Sequence, residues 1–195
     1  MQVYFVRHGE SDANVAGIVN DDPARAVALT ARGRAQAIAT ARRLAGLAFS
    51  AAYCSELLRA RQTAEILLAE LGLSGTLALH VDARLNERRS GLDGQPVETF
   101  HALVRSDPVH TRPAKGESFL EQMERLRAFL DDLATRSPRG AVLAVSHESP
   151  IMAATALAGA PVEAAARGGL GNGEWVVLDW PTGGRSERLL TSVVP

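Results

Sequence analysis

Residues 1–14 read MQVYFVRHGESDAN. The apolar run Val3–Val6 stops abruptly at Arg7, His8 and Gly9. A short unbroken apolar run predicts a strand buried on both faces, because a half-exposed strand would alternate polar and apolar residues. Two further runs have similar character, AVLAV (Ala141–Val145) and WVVLDW (Trp175–Trp180). AAYC (Ala51–Cys54) and TLALHV (Thr76–Val81) are weaker strand candidates. Beyond Trp180, PTGG is a turn signal and SERLLTSVV completes an expected edge hairpin.

Helical patterns lie between these runs. Leu29 and Thr30 form a staple and N-cap ahead of Ala37, Ile38, Ala41, Leu44 and Ala45 on one face. Ser55 is placed to cap a second helix carrying Ala60, Ala64, Leu67 and Leu71. Ser118 and Glu121 make a capping box before Phe119, Met123, Leu126, Leu130 and Leu133. A fourth helix is expected from near Pro150 to about Ala158. Strands alternating with helices predict an α/β fold, a three-layer α/β/α sandwich around a largely parallel mixed sheet. No repeat or linker divides the chain, so residues 1–195 read as one domain. Residues 85–116, rich in Arg, Gly, Asp, His and Pro, read as a lid-like insertion.

Composition narrows the function. The chain has 21 Lys+Arg against 22 Asp+Glu, so nucleic acid and acidic membrane surfaces, which demand a basic excess, are not expected partners. No apolar segment approaches the roughly 20 residues that span a bilayer, and no secretory leader is visible. The single cysteine, Cys54, staples nothing and reads as a small core residue, which favours a cytoplasmic setting. Lys115 is the sole lysine, so an arginine by itself signals nothing and position must carry the argument.

In open α/β sheets the ligand crevice lies at the carboxyl ends of the strands. Arg7 and His8 follow the first strand, and Ser146 and His147 follow AVLAV in the same way. If those strands are neighbours, two histidines and an arginine converge there, with Gly9 permitting a sharp turn or a close-lying ligand. With Ser55 as N-cap, Arg59 falls near the start of its helix and leans back toward the same crevice. Its cation is mildly unfavourable there unless an anion lies between. Two arginine forks and two imidazoles suit the oxygens of a phosphate.

The blocks RHGES with Asn14, SELLRARQTA, LNER with Gly91, KGES and VSH occur in an order that resembles the histidine phosphatase superfamily, the phosphoglycerate mutase-like enzymes. The resemblance runs from Val3 to at least His147. It implies a metal-independent, cofactor-free phosphomonoesterase acting on a small phosphorylated metabolite through a phosphohistidine. In that pattern His8 is the nucleophile and Glu87 the general acid/base. Arg7, Arg59 and a cationic His147 hold the phosphoryl group, and Asn14 adds a contact. The physics agrees: a nucleophilic imidazole must be neutral, and nearby guanidinium groups discourage its protonation. Glu87 must be protonated to assist departure, so its pKa should be raised.

Each residue also has a plainer reading. His8 and His147 are structural histidines, Arg59 is a surface arginine, Glu87 is half of an exposed ion pair, and Asn14 shapes a turn. His101 and His110 read as solvated. The sequence departs from the family pattern at Glu148, where glycine is usual, and its carboxylate must point away from a bound dianion or repel it. The aromatic residues usual after the acid/base position are replaced by Ser90 and Leu92. Three other functions stay open. The first is mutase chemistry, with Arg88 and Arg89 as substrate clamps. The second is a metallohydrolase ligated by His8, His147 and Glu87, and the third is a non-catalytic phospho-ligand sensor. A homodimer is compatible with the sequence but not derivable from it.

Overall fold

Strand β1 (Gln2–Arg7) lies between β4 (Ala141–Ser146) and β5 (Trp175–Asp179). The computed structural model describes residues 1–136 and 140–182, and the backbone of 191–193. β2 (Phe49–Cys54) and β3 (Leu79–Val81) extend the sheet beyond β4, and β6 (Thr191–Val193) closes the other edge. The order is β3-β2-β4-β1-β5-β6. The first four of these run parallel, and β5 and β6 are antiparallel to their neighbours. The sheet is therefore mixed and largely parallel, as expected. The hairpin expected beyond Trp180 is present as β5 and β6, and residues 183–190 between them lie outside the described residues.

The unbroken apolar runs have their explanation in two cores. Val3, Phe5, Val142 and Ala144 face α5 (Phe119–Arg136) and α6 (Glu148–Leu157), meeting Leu126, Phe129, Leu130 and Ile151. Val6, Leu143 and Val145 face the opposite layer, α2 (Ala31–Arg43) and α3 (Leu58–Glu70), meeting Ala41, Ala60, Ala64 and Leu67. Alternate residues of one strand thus enter different cores, so neither face can be polar. This is the three-layer sandwich.

The caps follow the sequence with two exceptions. Thr30 caps α2 by accepting from Gly33 N–H at 3.0 Å, and Ser118 and Glu121 exchange both capping-box bonds. Ala45, expected on the buried face of α2, lies beyond its end and is exposed. Ser55 is not the N-cap of α3: Leu57 is, and the hydroxyl of Ser55 accepts from Leu57 N–H at 3.3 Å as a turn. α6 starts at Glu148, two residues before Pro150, because proline is tolerated in a first turn that has no use for its N–H. Three short helices were not predicted, α1 (Asp12–Ala16), α4 (Val97–Val104) and α7 (Val162–Ala165).

The 85–116 segment is anchored rather than loose. Asp93 accepts from the N–H groups of Asp21 and Asp22 and from Asn20, while Asp21 accepts from Ser90 N–H. Glu117, only 1% exposed, accepts from Arg125 at 2.6 Å and from Arg89 N–H at 3.1 Å. α4 stands over the cavity between these anchors.

Candidate active site

Parallel pairing places Arg7 opposite Ser146, so His8 and His147 leave adjacent strand ends. The N–H of His8 donates to Ser146 O at 3.0 Å, and the two imidazole centroids are 4.9 Å apart. β2 ends on the other side of β4, where Ser55 N–H donates to Val145 O at 3.2 Å. The short turn that follows starts α3, which carries Arg59 as its second residue.

The proton positions follow from the partners. His8 Nδ1 is 2.7 Å from Gly9 O. A carbonyl only accepts, so Nδ1 carries the hydrogen and the lone pair lies on Nε2. Arg59 Nε–H donates to that lone pair at 2.9 Å. Burial, with Arg59 and Arg7 adding to it against the Gly9 carbonyl, holds the ring's pKa well below 6.5. His8 is neutral, as a nucleophile requires.

His147 is neutral too, which corrects the expectation of a cation. Arg59 Nη2, which can only donate, lies 3.0 Å from His147 Nδ1. Nε2 therefore carries the hydrogen and donates to Ser55 Oγ at 2.7 Å. Burial and the Arg59 charge hold this ring's pKa well below 6.5. His147 is fully buried and lies behind Arg59 rather than on the cavity wall.

Arg59 is the hub. Its Nη1 donates to Asn20 Oδ1 and its Nη2 to Asn20 O at 2.9 Å. Burial lowers its pKa to about 10, opposed by Glu87, so it stays charged at neutral pH. A guanidinium bonded to both His8 Nε2 and His147 Nδ1 sets a cation where a metal shared by those rings would sit. Among the described residues no group of three His, Cys, Asp or Glu side chains is arranged to hold a metal ion. The exposed-arginine reading also fails, since Arg59 is buried.

Gly9 has a reason other than the two anticipated. A Cβ there would lie 2.2 Å from Gly33 O, so the loop after His8 rests directly on the backbone of α2. Thr63, one turn after Arg59, accepts from Gly9 N–H at 3.1 Å and donates to Arg59 O at 2.7 Å. The loop after His8 and the helix of Arg59 are tied by one hydroxyl.

The LNER block is three anchors around one projecting carboxyl group. Leu85 is buried in the core and its carbonyl accepts from Ser146 Oγ at 2.7 Å. Asn86 accepts from Glu56 N–H at 2.9 Å and donates to its carboxylate at 2.7 Å. Between these fixed points and Arg88, Glu87 enters the cavity, with Oε1 accepting from Arg88 N–H at 2.8 Å. Burial raises its pKa above 4.5 and Glu148 adds to that, against Arg88 N–H, Arg59 and Arg7. It is not half of an exposed ion pair.

Arg88 and Arg89 are not free to clamp a substrate carboxylate. The Arg88 guanidinium donates to the carbonyls of Glu117, Pro108 and Thr111 at 2.9–3.1 Å. Arg89 pairs with Glu117 at 3.4 Å. Neither is placed as the clamp the mutase reading assigned to it, while Arg105 and Arg167 also line the cavity.

Asn14 lines the cavity, but its Oδ1 is engaged locally, accepting from Ser11 N–H at 3.0 Å and Ser11 Oγ at 2.9 Å in a capping box. His101 lines the cavity while largely exposed, and exposed His110 pairs with Asp107 at 3.0 Å. Cys54 is buried, its thiol pushed up to about 11 by burial, and so is an unreactive core residue.

The cavity encloses about 420 Å³. Arg7, His8, Arg59, Glu87 and Glu148 line it, and Val97, Phe100 and Val104 of α4 contribute apolar wall. Arg7 Nε is a buried donor without a partner among the described residues. Such a donor calls for an acceptor that arrives with a ligand. Sequence reasoning missed Ser55 as the acceptor for His147, Asn20 as the acceptor for Arg59, and Thr63. Their partners lie 92, 39 and 54 positions away, beyond any local pattern.

Neutral His8 against two guanidinium groups and a raised carboxyl defines a phosphoryl-handling site on a three-layer α/β sandwich. Residues 3–192 match the family model of the histidine phosphatase superfamily (branch 1), and the chain belongs to that family. It is 30% identical over 189 residues to the adenosylcobalamin/alpha-ribazole phosphatase of Escherichia coli (strain K12), covering 92% of this chain and 90% of that one. It is 32% identical over 163 residues to the 2,3-bisphosphoglycerate-dependent phosphoglycerate mutase of Azorhizobium caulinodans, covering 76% and 77%. The structure resembles that of the mycobacterial glucosyl-3-phosphoglycerate phosphatase in its complex with VO3, with a TM-score of 0.81 and 27% identity over 98% of this chain and 96% of that one.

Proposed function

We propose that this protein is a metal-independent phosphomonoesterase working through a phosphohistidine. The observation that carries the reading is the His8 tautomer: Nδ1 is bound to Gly9 O, which leaves the Nε2 lone pair for phosphorus. In the resting protein that lone pair accepts from Arg59 Nε. Substrate binding exchanges this bond for one from Arg59 to a phosphoryl oxygen, while Arg7 Nε gains the acceptor it lacks. His8 Nε2 then bonds to phosphorus as the ester P–O bond breaks, its electron pair going to the leaving oxygen and the Glu87 proton following. In the second half, Glu87 carboxylate takes a proton from water as that oxygen attacks phosphorus. The N–P bond returns its electrons to Nε2, freeing phosphate and restoring protonated Glu87. The loose transition state asks mainly for positioning and charge balance, which Arg7 and Arg59 supply. His147, bonded to Arg59 and to Ser55, keeps the guanidinium aligned.

The substrate class is a small phosphorylated metabolite, with residues 85–116 acting as a lid over its leaving group and residues 1–195 as one unit. Relatives named for alpha-ribazole and for glucosyl-3-phosphoglycerate support that class. The engagement of Arg88 and Arg89 by protein carbonyls and Glu117 favours hydrolysis over mutase chemistry. A single buried cysteine, and the absence among the described helices of one long and apolar enough to cross a membrane, support a cytoplasmic setting.

The test is a phosphomonoester screen with EDTA present, using wild type, His8→Ala and Glu87→Gln. Hydrolysis should survive EDTA and vanish in His8→Ala. Glu87→Gln should slow poor leaving groups severely and p-nitrophenyl phosphate much less, since that group departs without a proton. Unchanged turnover in both variants would refute the assignment.

A further inference from the structure

Glu148 stands where the family pattern has glycine, and its carboxylate does not point away from the cavity. Oε2 pairs with Arg7 Nη1 at 2.9 Å, and Oε1 accepts from the N–H of Gly169 at 2.7 Å. The same Arg7 nitrogen donates to Leu170 O. A Cβ on Gly168, whose φ is +79°, would lie 2.6 Å from Glu148 Oε1, so the Gly168–Leu170 loop closes tightly around the carboxylate. The arrangement is a bracket with helix α6 on one side, the loop on the other and the Nη1 end of Arg7 between them. Arg7 Nε stays buried and without a protein partner, while the Arg7 side chain lines the cavity.

The bracket has two physical effects. It fixes the guanidinium of a long flexible side chain, lowering the entropy cost of presenting its remaining N–H groups to a ligand. It also sets a negative charge against one of the guanidinium groups on the cavity. His8 and His147 are neutral, and Glu148 is set against Arg7 in a cavity that Arg59, Glu87, Arg88, Arg105 and Arg167 also line. Glu148 therefore subtracts one charge from what a bound phosphoryl group meets, and the last product, inorganic phosphate, is an anion of the same kind.

We propose that Glu148 is a positioning residue that anchors Arg7 to the Gly168–Leu170 loop and, by cancelling part of the cavity's positive charge, weakens retention of inorganic phosphate so that the site clears after each turnover. The proposal rests on the phosphohistidine reading for its kinetic half, but its electrostatic half concerns phosphate binding alone.

Two variants separate charge from reach. Glu148→Gln keeps the length and loses the charge. Glu148→Asp keeps the charge and is too short to hold both Arg7 and Gly169. Glu148 is a partly exposed first-turn helix residue, so both should fold, which thermal melting would check. Calorimetric titration with inorganic phosphate should show about tenfold tighter binding for Glu148→Gln, the order expected for one nearby charge acting on a dianion in a partly solvated site. Its KM for p-nitrophenyl phosphate should fall in parallel. Glu148→Asp should bind phosphate within about twofold of wild type yet lose about tenfold in kcat, from a loosened Arg7. Phosphate affinity unchanged or weakened in Glu148→Gln overturns the charge role, and undiminished kcat in Glu148→Asp overturns the anchoring role. Should wild type bind phosphate but hydrolyse no ester, the catalytic reading falls while the titrations still decide the charge of Glu148.

Discussion

Arg59 donates through Nε to the Nε2 lone pair of His8 at 2.9 Å, so the atom proposed to attack phosphorus is held by a group proposed to bind its oxygens. The same guanidinium reaches His147 Nδ1 at 3.0 Å. One side chain therefore sets the protonation of both imidazoles, and any replacement must be judged against three tasks at once.

Arg59→Lys should not rescue function. An ammonium is a point donor and cannot span His8, His147 and Asn20 with fixed geometry. We expect kcat to fall by about two to three orders of magnitude, as for loss of a principal transition-state donor. A kcat within a few-fold of wild type by steady-state assay would show that positive charge alone suffices.

Ser55→Ala tests the hydroxyl behind His147. Removing Oγ strands a buried N–H, which costs about 1–3 kcal/mol. Chemical denaturation should report a loss in that range, with turnover reduced about tenfold by the freed ring. Ser55→Thr, which retains an acceptor, should recover most of both.

Stability should depend on pH with a sign set by three buried groups. His8 and His147 have folded pKa values well below 6.5. As pH falls below 6.5 the unfolded chain takes up protons that the folded chain rejects, and stability drops by about 1.4 kcal/mol per unit per histidine until the folded pKa is reached. Glu87 acts oppositely, because its folded pKa is raised above 4.5 and its contribution is lost as pH rises through that raised value. Urea unfolding between pH 7.5 and 5 should therefore weaken toward acid. His8→Gln should make the decline shallower and Glu87→Gln should make it steeper. A flat profile in wild type would contradict neutral buried histidines.

Gly33→Ala should damage both stability and turnover although α2 contributes no side chain to the chemistry. Its Cβ would lie 2.0 Å from Glu10 O, which only a backbone shift relieves. Overpacking of this kind costs about 1–3 kcal/mol. A melting curve and kcat both matching wild type would show that the contact is slack.

Much of the architecture was legible because burial on two faces writes itself into a sequence as runs such as Val3–Val6 and Ala141–Val145. The strand ends then named Arg7, His8 and His147, and helix phase named Arg59. What stayed hidden depends on partners far along the chain. Nothing near Ser55 or Asn20 announces the ring or guanidinium each one meets. The charge of His147 was misjudged for the same reason, since the bond from Arg59 that excludes a proton joins residues 88 positions apart. The carboxylate of Glu148 could be located only once Arg7 and Gly169 were in place. α1 and α4 escaped because five to eight residues are too short a window to register, even though Val97, Phe100 and Val104 of α4 repeat at helical spacing.

The parallel seating of β1 beside β4 joins chain segments about 140 positions apart, and both imidazoles hang from that seam. No early hairpin or isolated helix contains a working fraction of the centre. During refolding, catalytic competence should emerge last, trailing the circular-dichroism signal of the helices, because only closure of the longest loops brings the two rings within reach.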